Sequence, residues 1–267
     1  MLGLDIIIIF MILGAVVGFM AGLLGIGGGG IMVPILTSIF LFYKIPLESV
    51  VHIALGTSMA SIIVTSAASL LAHQKHQGII WDVVKNMAPG VLLGTFLATY
   101  LVSYISAKHL AIFFACFMAY VAIQMYLNFQ PRSTKNIPGN FALFATGNGI
   151  GAISALVAIG GGTMTVPYLT WHSVSLRKAI GTSAAIGFPI ALAGTLGYFI
   201  NGLNAEFTTD YLFGYIYLPA VISISVVSFF TAPLGAKLAH TLPIPKLKKI
   251  FALFLVFLSL KMVVSIL

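Results

Sequence analysis

Eight long apolar runs, separated by charged or Pro/Gly-rich breaks, dominate this sequence of 267 residues. They lie at about 4–24, 51–71, 86–104, 109–128, 141–159, 178–200, 212–232 and 249–267. Each is close to the ~20 apolar residues that an α-helix needs to cross a bilayer. Only 7% of the residues are charged and 60% are apolar, whereas a soluble domain carries about 25% charged residues. The pattern predicts an all-α polytopic membrane protein and excludes a soluble enzyme, a disordered chain and a disulfide scaffold.

The net charge of +8 comes from 13 Lys and Arg residues, almost all of which stand between the apolar runs. Positive charge at such places sets the orientation of a membrane protein. We therefore expect the lipid bilayer as a partner and no nucleic acid. His73, Lys75 and His76 are expected in a solvated loop. The single cysteine, Cys116, cannot form an internal disulfide or a metal site, and neither a metal nor another cofactor is expected.

Two shorter apolar pieces, residues 31–42 and 163–171, each follow a cluster of glycines. As helices they would span only ~14–18 Å, less than the ~30 Å of a hydrocarbon core. The clusters are Gly27, Gly28, Gly29 and Gly30 in the first case, and Gly160, Gly161 and Gly162 in the second. We expect about eight full transmembrane helices plus two short, glycine-broken ones.

The two glycine clusters belong to a duplication of the chain. The segment GAVVGFMAGLLGIGGGGIMVPIL, which starts at Gly14, aligns without gaps with GNGIGAISALVAIGGGTMTVPYL, which starts at Gly147. A second match places HIALGTS, from His52 to Ser58, over RKAIGTS, from Arg177 to Ser183. The sequence therefore predicts a first transmembrane repeat over residues 1–130, a linker over 131–140 and a second repeat over 141–267. Short or Gly/Pro-broken segments at matching positions of two repeats are a pointer to a transporter site.

Doubled glycine clusters that run into Val-Pro, each followed by Gly-Thr-Ser, resemble the sulfite exporter TauE/SafE family, also called the toluene-sulfonate uptake permease family. The resemblance covers nearly the whole chain. It implies a permease or exporter in the cytoplasmic (inner) membrane that moves a small sulfur-containing anion, such as sulfite, thiosulfate or an organosulfonate. Hydropathy and duplication alone lead only to a transporter.

The distribution of Lys and Arg favours one topology. Five passes per half, with the N-terminus outside, put 10 of these residues inside and 3 outside. Four passes per half, with the short pieces re-entrant, give 8 against 5 at best. The positive-inside rule therefore favours five passes, inverted repeats and both termini outside. Re-entrant short pieces stay open as the alternative.

The candidate binding residues are those that could offer hydrogen-bond donors to an anion inside the membrane. The short helices would point their N-terminal N–H groups at the glycine clusters, and helix N-termini attract anions. Hydroxyl and amide side chains add donors without a buried charge. The candidates besides the seven glycines are Thr57, Ser58, Asn148, Thr163, Thr182 and Ser183. Close helix packing is the competing interpretation for the glycines and hydroxyls.

Two ionisable residues at matching positions, His52 and Arg177, are candidates for coupling or gating. His52 could carry a proton, because its unperturbed pKa is near neutrality, or it could cap a turn with Glu48. Arg177 could hold an anion, or it could mark a cytoplasmic helix end together with Lys178. An intramembrane enzyme, and a channel or assembly subunit without carrier turnover, remain the alternative functions, and a homodimer is left open.

Overall fold

The computed structural model of the chain describes residues 4–25, 27–127, 136–203, 205, 210–239 and 244–266, without the side chains of 244–248 and 250. Ile26 and residues 131–135, half of the predicted linker 131–140, lie outside the described residues. The boundary between the two repeats therefore stays a prediction.

Within the described residues, the first half contains five helices. They are α1 (Leu4–Leu24), α2 (Gly29–Phe42), α3 (Leu47–Lys75), α4 (Trp81–Val102) and α5 (Ala107–Tyr126). The second half repeats this order with α6 (Asn140–Val157), α7 (Gly162–Trp171), α8 (Leu176–Gly202), α9 (Leu218–Ala239) and α10 (Ile244–Ile266). The two short helices expected after the glycine clusters are thus present as α2, with 14 residues, and α7, with 10.

One apolar run does not form a single helix. The run 212–232 begins with an antiparallel hairpin of β1 (Leu212–Phe213) and β2 (Ile216–Tyr217), and α9 starts only after it. Tyr211 and Gly214, with φ of 68° and 55°, turn the chain here. The expectation of an unbroken helix is wrong at this point because hydropathy alone does not distinguish a short buried hairpin from a helix.

Six of the described helices are long and apolar enough to cross a membrane. These are α1, α3, α5, α6, α8 and α9. The chain is therefore a multi-pass helical membrane protein. The count of eight full spans stays a prediction, since α4 has 22 residues but carries Asp82 and Lys85 near its start.

The halves interlock through glycine contacts. Helix α1 packs against α9 of the other half, and its counterpart α6 packs against α4. In both pairs, residue numbers rise together along the contact, so the two helices run parallel. The contacts join Gly14, Gly18 and Gly22 to the backbone of Ile224, Ser228 and Ala232, and Gly147 and Gly151 to that of Met87 and Val91.

The centre of the molecule is formed by α3 and α8, the two longest helices and the most buried of the membrane-span candidates. The start of α3 lies beside the hairpin that follows α8, because the Tyr217 N–H donates to Thr57 Oγ1 at 3.0 Å. The start of α8 lies beside the loop that follows α3, because the Ile80 N–H donates to Thr182 Oγ1 at 3.0 Å. These equivalent helices are therefore antiparallel.

Candidate functional site

The two short helices begin with the same backbone geometry. Gly28 and Gly161 are their N-cap residues, and both are left-handed, with φ of 86° and 75°. The Gly28 carbonyl accepts from the N–H groups of Ile31 and Met32, both at 3.1 Å. The Gly161 carbonyl accepts from those of Met164 and Thr165, at 3.1 and 2.8 Å. Glycine is required at both caps because a Cβ atom disfavours this conformation.

The helices that lead into these caps are also fixed in matching ways. The His73 Nε2–H of α3 donates to the Gly22 carbonyl in α1 at 3.0 Å. At the equivalent position of α8, the Tyr198 hydroxyl donates to the Ala155 carbonyl in α6 at 2.8 Å. His73 is fully buried, so its expected place in a solvated loop is wrong. Its ring instead satisfies a carbonyl in the last turn of α1, which the helix itself leaves without a partner.

The two glycine breaks meet in the interior. A Cβ atom on Gly27 would lie 2.8 Å from the Gly160 Cα atom, closer than side chains normally approach. Ile62 of α3 faces Gly27, and Gly187 of α8, at the matching position, faces Gly160. Both of these residues stand near the middle of their helices. We call residues 27–29 and 158–161 together the glycine junction.

Two small cavities adjoin the glycine junction, each with a volume of about 10 Å³, enough for about one water molecule. We name them the α3-side cavity and the α5-side cavity. The α3-side cavity is lined by Ala21, Gly25, Gly27, Ser66, Ser69, Gly160, Ala184 and Gly187. The α5-side cavity is lined by Gly28, Gly30, Met118, Ile159, Thr163, Phe251 and Leu255. None of these residues carries a charge.

The Gly-Thr-Ser segments have structural partners in the opposite half. Thr57 and Thr182 accept the backbone hydrogen bonds that fix the chain before α9 and before α4. The Ser183 hydroxyl donates to the Ile180 carbonyl at 2.8 Å, and its Oγ atom lies 3.3 Å from the carbonyl oxygen of Gly25. Ser58 is buried and has no hydrogen-bond partner among the described residues. None of the four lines either cavity, and their anion-binding role stays a prediction.

Three further candidates also lie away from both cavities. His52 Nε2 is 3.2 and 3.1 Å from the carbonyl oxygens of Val102 and Ile105, where α4 ends, and its ring lies against Tyr215. Arg177 is exposed at the start of α8. Asn148 is half-buried on α6, and its backbone packs against Gly94 of α4. Their proposed roles in binding, coupling or gating are untested.

The fold and the junction define a class of protein: a helical membrane protein with two similar halves, in which broken helices meet at the centre. Residues 10–262 match the family described as "Sulfite exporter TauE/SafE", and the chain belongs to this family. A "Probable membrane transporter protein" of Haemophilus influenzae is 36% identical over 258 residues, covering 96% of this chain and 97% of that protein. Another from Methanocaldococcus jannaschii is 27% identical, covering 86% and 85%. No solved structure matches the chain.

Proposed function

We propose that the protein is a secondary transporter that moves a small sulfur-containing anion, such as sulfite, thiosulfate or an organosulfonate, across the cytoplasmic membrane. The observation that carries this proposal is the contact between the two glycine breaks, where the N-terminal ends of α2 and α7 adjoin. The first N–H groups of a helix have no partner within it, and the helix dipole attracts negative charge to them. Two such ends at one point offer an anion several donors.

The absence of charge around the two cavities suits a carrier. An anion at the glycine junction would be held by backbone N–H and hydroxyl groups, because the residues that line the cavities are uncharged. Binding without a fixed counter-charge allows the release that each transport cycle requires. The two cavities, each about 10 Å³ in volume, are too small for sulfite, so the junction is closed here and must widen for passage.

An inverted arrangement of the halves would provide that movement. The antiparallel course of α3 and α8, together with the parallel pairs α1–α9 and α4–α6, supports inverted repeats. Lys and Arg counts support five passes per half and both termini outside. In such transporters the halves rock about a site at their interface and open it to each side in turn.

Flux through proteoliposomes tests the proposal. The purified protein is reconstituted, and uptake of sulfite is measured against its concentration, with thiosulfate and sulfoacetate as further substrates. A carrier gives saturating uptake, whereas flux that stays proportional to concentration indicates a channel. No flux of any sulfur anion above protein-free liposomes would contradict the proposal. The Gly149→Val variant serves as a control, since Gly149 has nothing within 4 Å of its would-be Cβ atom.

A further inference from the structure

A buried hydroxyl without a partner lines the α3-side cavity. Ser69 is 1% exposed, and its Oγ atom has no hydrogen-bond partner among the described residues. Ser66, one turn earlier on the same helix, is 3% exposed and lines the same cavity, and its hydroxyl donates to the Ile63 carbonyl at 3.2 Å. A buried hydroxyl that stays unpaired loses its hydrogen bonds to water without replacement, so it calls for an explanation.

The other hydroxyls on this face of α3 are already engaged. Ser61 donates to the Thr57 carbonyl at 2.9 Å. Thr65 donates to the Ser61 carbonyl at 3.1 Å or to Ser228 Oγ at 2.8 Å. Ser69 continues this spacing of four residues, but its hydroxyl meets no acceptor in the part of the chain that the structure describes. Its donor therefore remains available to a molecule in the cavity.

The residues that line the α3-side cavity differ from their counterparts in the other half. The residue of α3 that matches Gly187 is Ile62, whose side chain fills the space beside Gly27. In the other direction, the α8 residues that match Ser66 and Ser69 are Ala191 and Gly194. The α3-side cavity thus combines a glycine of α8, where the equivalent residue of α3 is isoleucine, with two serines of α3, where the equivalent residues of α8 are alanine and glycine.

We propose that Ser69 donates a hydrogen bond to an oxygen of a small inorganic oxyanion bound in the α3-side cavity, and that the Ser66 hydroxyl turns from the Ile63 carbonyl to the same anion. This inference rests on the proposed transport function and assigns the polar wall of its site to α3 alone. Gly25, Gly27, Gly160 and Gly187 form the facing wall, where backbone can approach the anion closely. The cavity holds about one water molecule here, so it must widen together with the glycine junction before sulfite can enter.

Binding of sulfite by detergent-purified protein tests this assignment, with titration calorimetry on the wild type, Ser69→Ala and Ser66→Ala. Loss of a hydrogen bond to a charged group weakens binding by about tenfold or more, and we expect this for Ser69→Ala, with a smaller effect for Ser66→Ala. The matched control is Ser225→Ala, because Ser225 also carries a buried, unpartnered hydroxyl but lines neither cavity. Its sulfite affinity should equal that of the wild type.

The outcomes separate this inference from the proposed function. If wild-type protein neither binds nor transports any sulfur anion, the proposed function fails. If the wild-type protein transports sulfite but both serine variants bind sulfite with unchanged affinity, the assignment to the α3-side cavity is wrong. It is also wrong if Ser225→Ala reduces the sulfite affinity as much as Ser69→Ala does. Thermal unfolding without ligand verifies that each variant is folded. Ser66→Ala is expected to fold, because the equivalent position of the second half, Ala191, is already alanine. If Ser69→Ala does not fold, an unchanged affinity of Ser66→Ala overturns the assignment.

Discussion

Gly28 and Gly161 adopt the same left-handed backbone at the start of α2 and α7, with φ of 86° and 75°. Each also accepts two backbone hydrogen bonds from the first turn of its helix. The duplication thus preserves a conformation as well as a sequence. Because the breaks touch at Gly27 and Gly160, we expect a substitution at one cap to disturb the contact between the two halves.

Alanine at Gly161 should destabilise the ligand-free protein by about 1–2 kcal/mol, because its Cβ atom is strained at positive φ. A Cβ atom there would also lie 2.6 Å from Ile190 Cδ1. Gly149→Ala, in the exposed middle of α6, should be neutral or stabilising by about 0.5–1 kcal/mol. Thermal unfolding in detergent compares the two. Equal melting temperatures would show that the left-handed cap is not required.

Thr57→Val and Thr182→Val should each destabilise the protein by about 1–3 kcal/mol, because each change leaves a backbone N–H without its acceptor. Thr57→Val should cost more, since the Tyr217 N–H that it orphans is buried, whereas the Ile80 N–H at Thr182 is only half-buried. Thr37→Val is the control, since the buried Thr37 hydroxyl has no hydrogen-bond partner among the described residues.

The same pair of variants also tests the anion-binding role that the sequence suggested. Chemical denaturation reports the stability loss, and sulfite titration reports affinity. If affinity falls while stability is unchanged, the hydroxyls serve the ligand and the backbone bonds matter little.

Phenylalanine at Tyr198 should cost about 1–3 kcal/mol, because the Ala155 carbonyl then loses its partner in a buried place. Tyr100→Phe provides a comparison at an exposed tyrosine of α4 and should change stability by less than about 0.5 kcal/mol. Denaturation midpoints in a mild detergent measure both. An equal loss of unfolding free energy in the two variants would mean that the hydrogen bond from Tyr198 to the Ala155 carbonyl does not stabilise the end of α6.

Cysteine labelling tests the inverted topology. Gln77, after α3, and Tyr211, after α8, are exposed and stand in equivalent connections. In a Cys116→Ser background, an impermeant maleimide should label Tyr211→Cys from outside and Gln77→Cys only from inside. The background change is needed because Cys116 is itself exposed. Labelling of both positions from one side would contradict inverted repeats.

Much of the fold could be predicted because the membrane restricts a chain to helices of a set length. The glycine clusters located the start of α2 within a few residues, and the repeat located α7 by comparison. The hairpin at 212–217 could not be predicted, since its residues are as apolar as the helix that follows.

The candidate site was predictable in part. The glycines were found because they interrupt apolar runs, which the sequence alone shows. The partners of Thr57 and Thr182 were not, because their hydrogen bonds join residues 160 and 102 positions apart. The four-residue spacing of Thr57, Ser61, Thr65 and Ser69 marks one polar face of α3 in the sequence. The sequence does not show which of these hydroxyls lacks a partner, because that depends on contacts with other helices.

The exchange of partners between the halves, with α1 on α9 and α6 on α4, has a consequence for the origin of the chain. A polypeptide of half this length would expose the glycine face of its first helix until the fourth helix of a second copy packed against it. The present fold is therefore what two identical subunits would form if they exchanged these helices and their genes then became fused. Once fused, the two copies were free to diverge, and position 187 carries glycine where its counterpart, position 62, carries isoleucine.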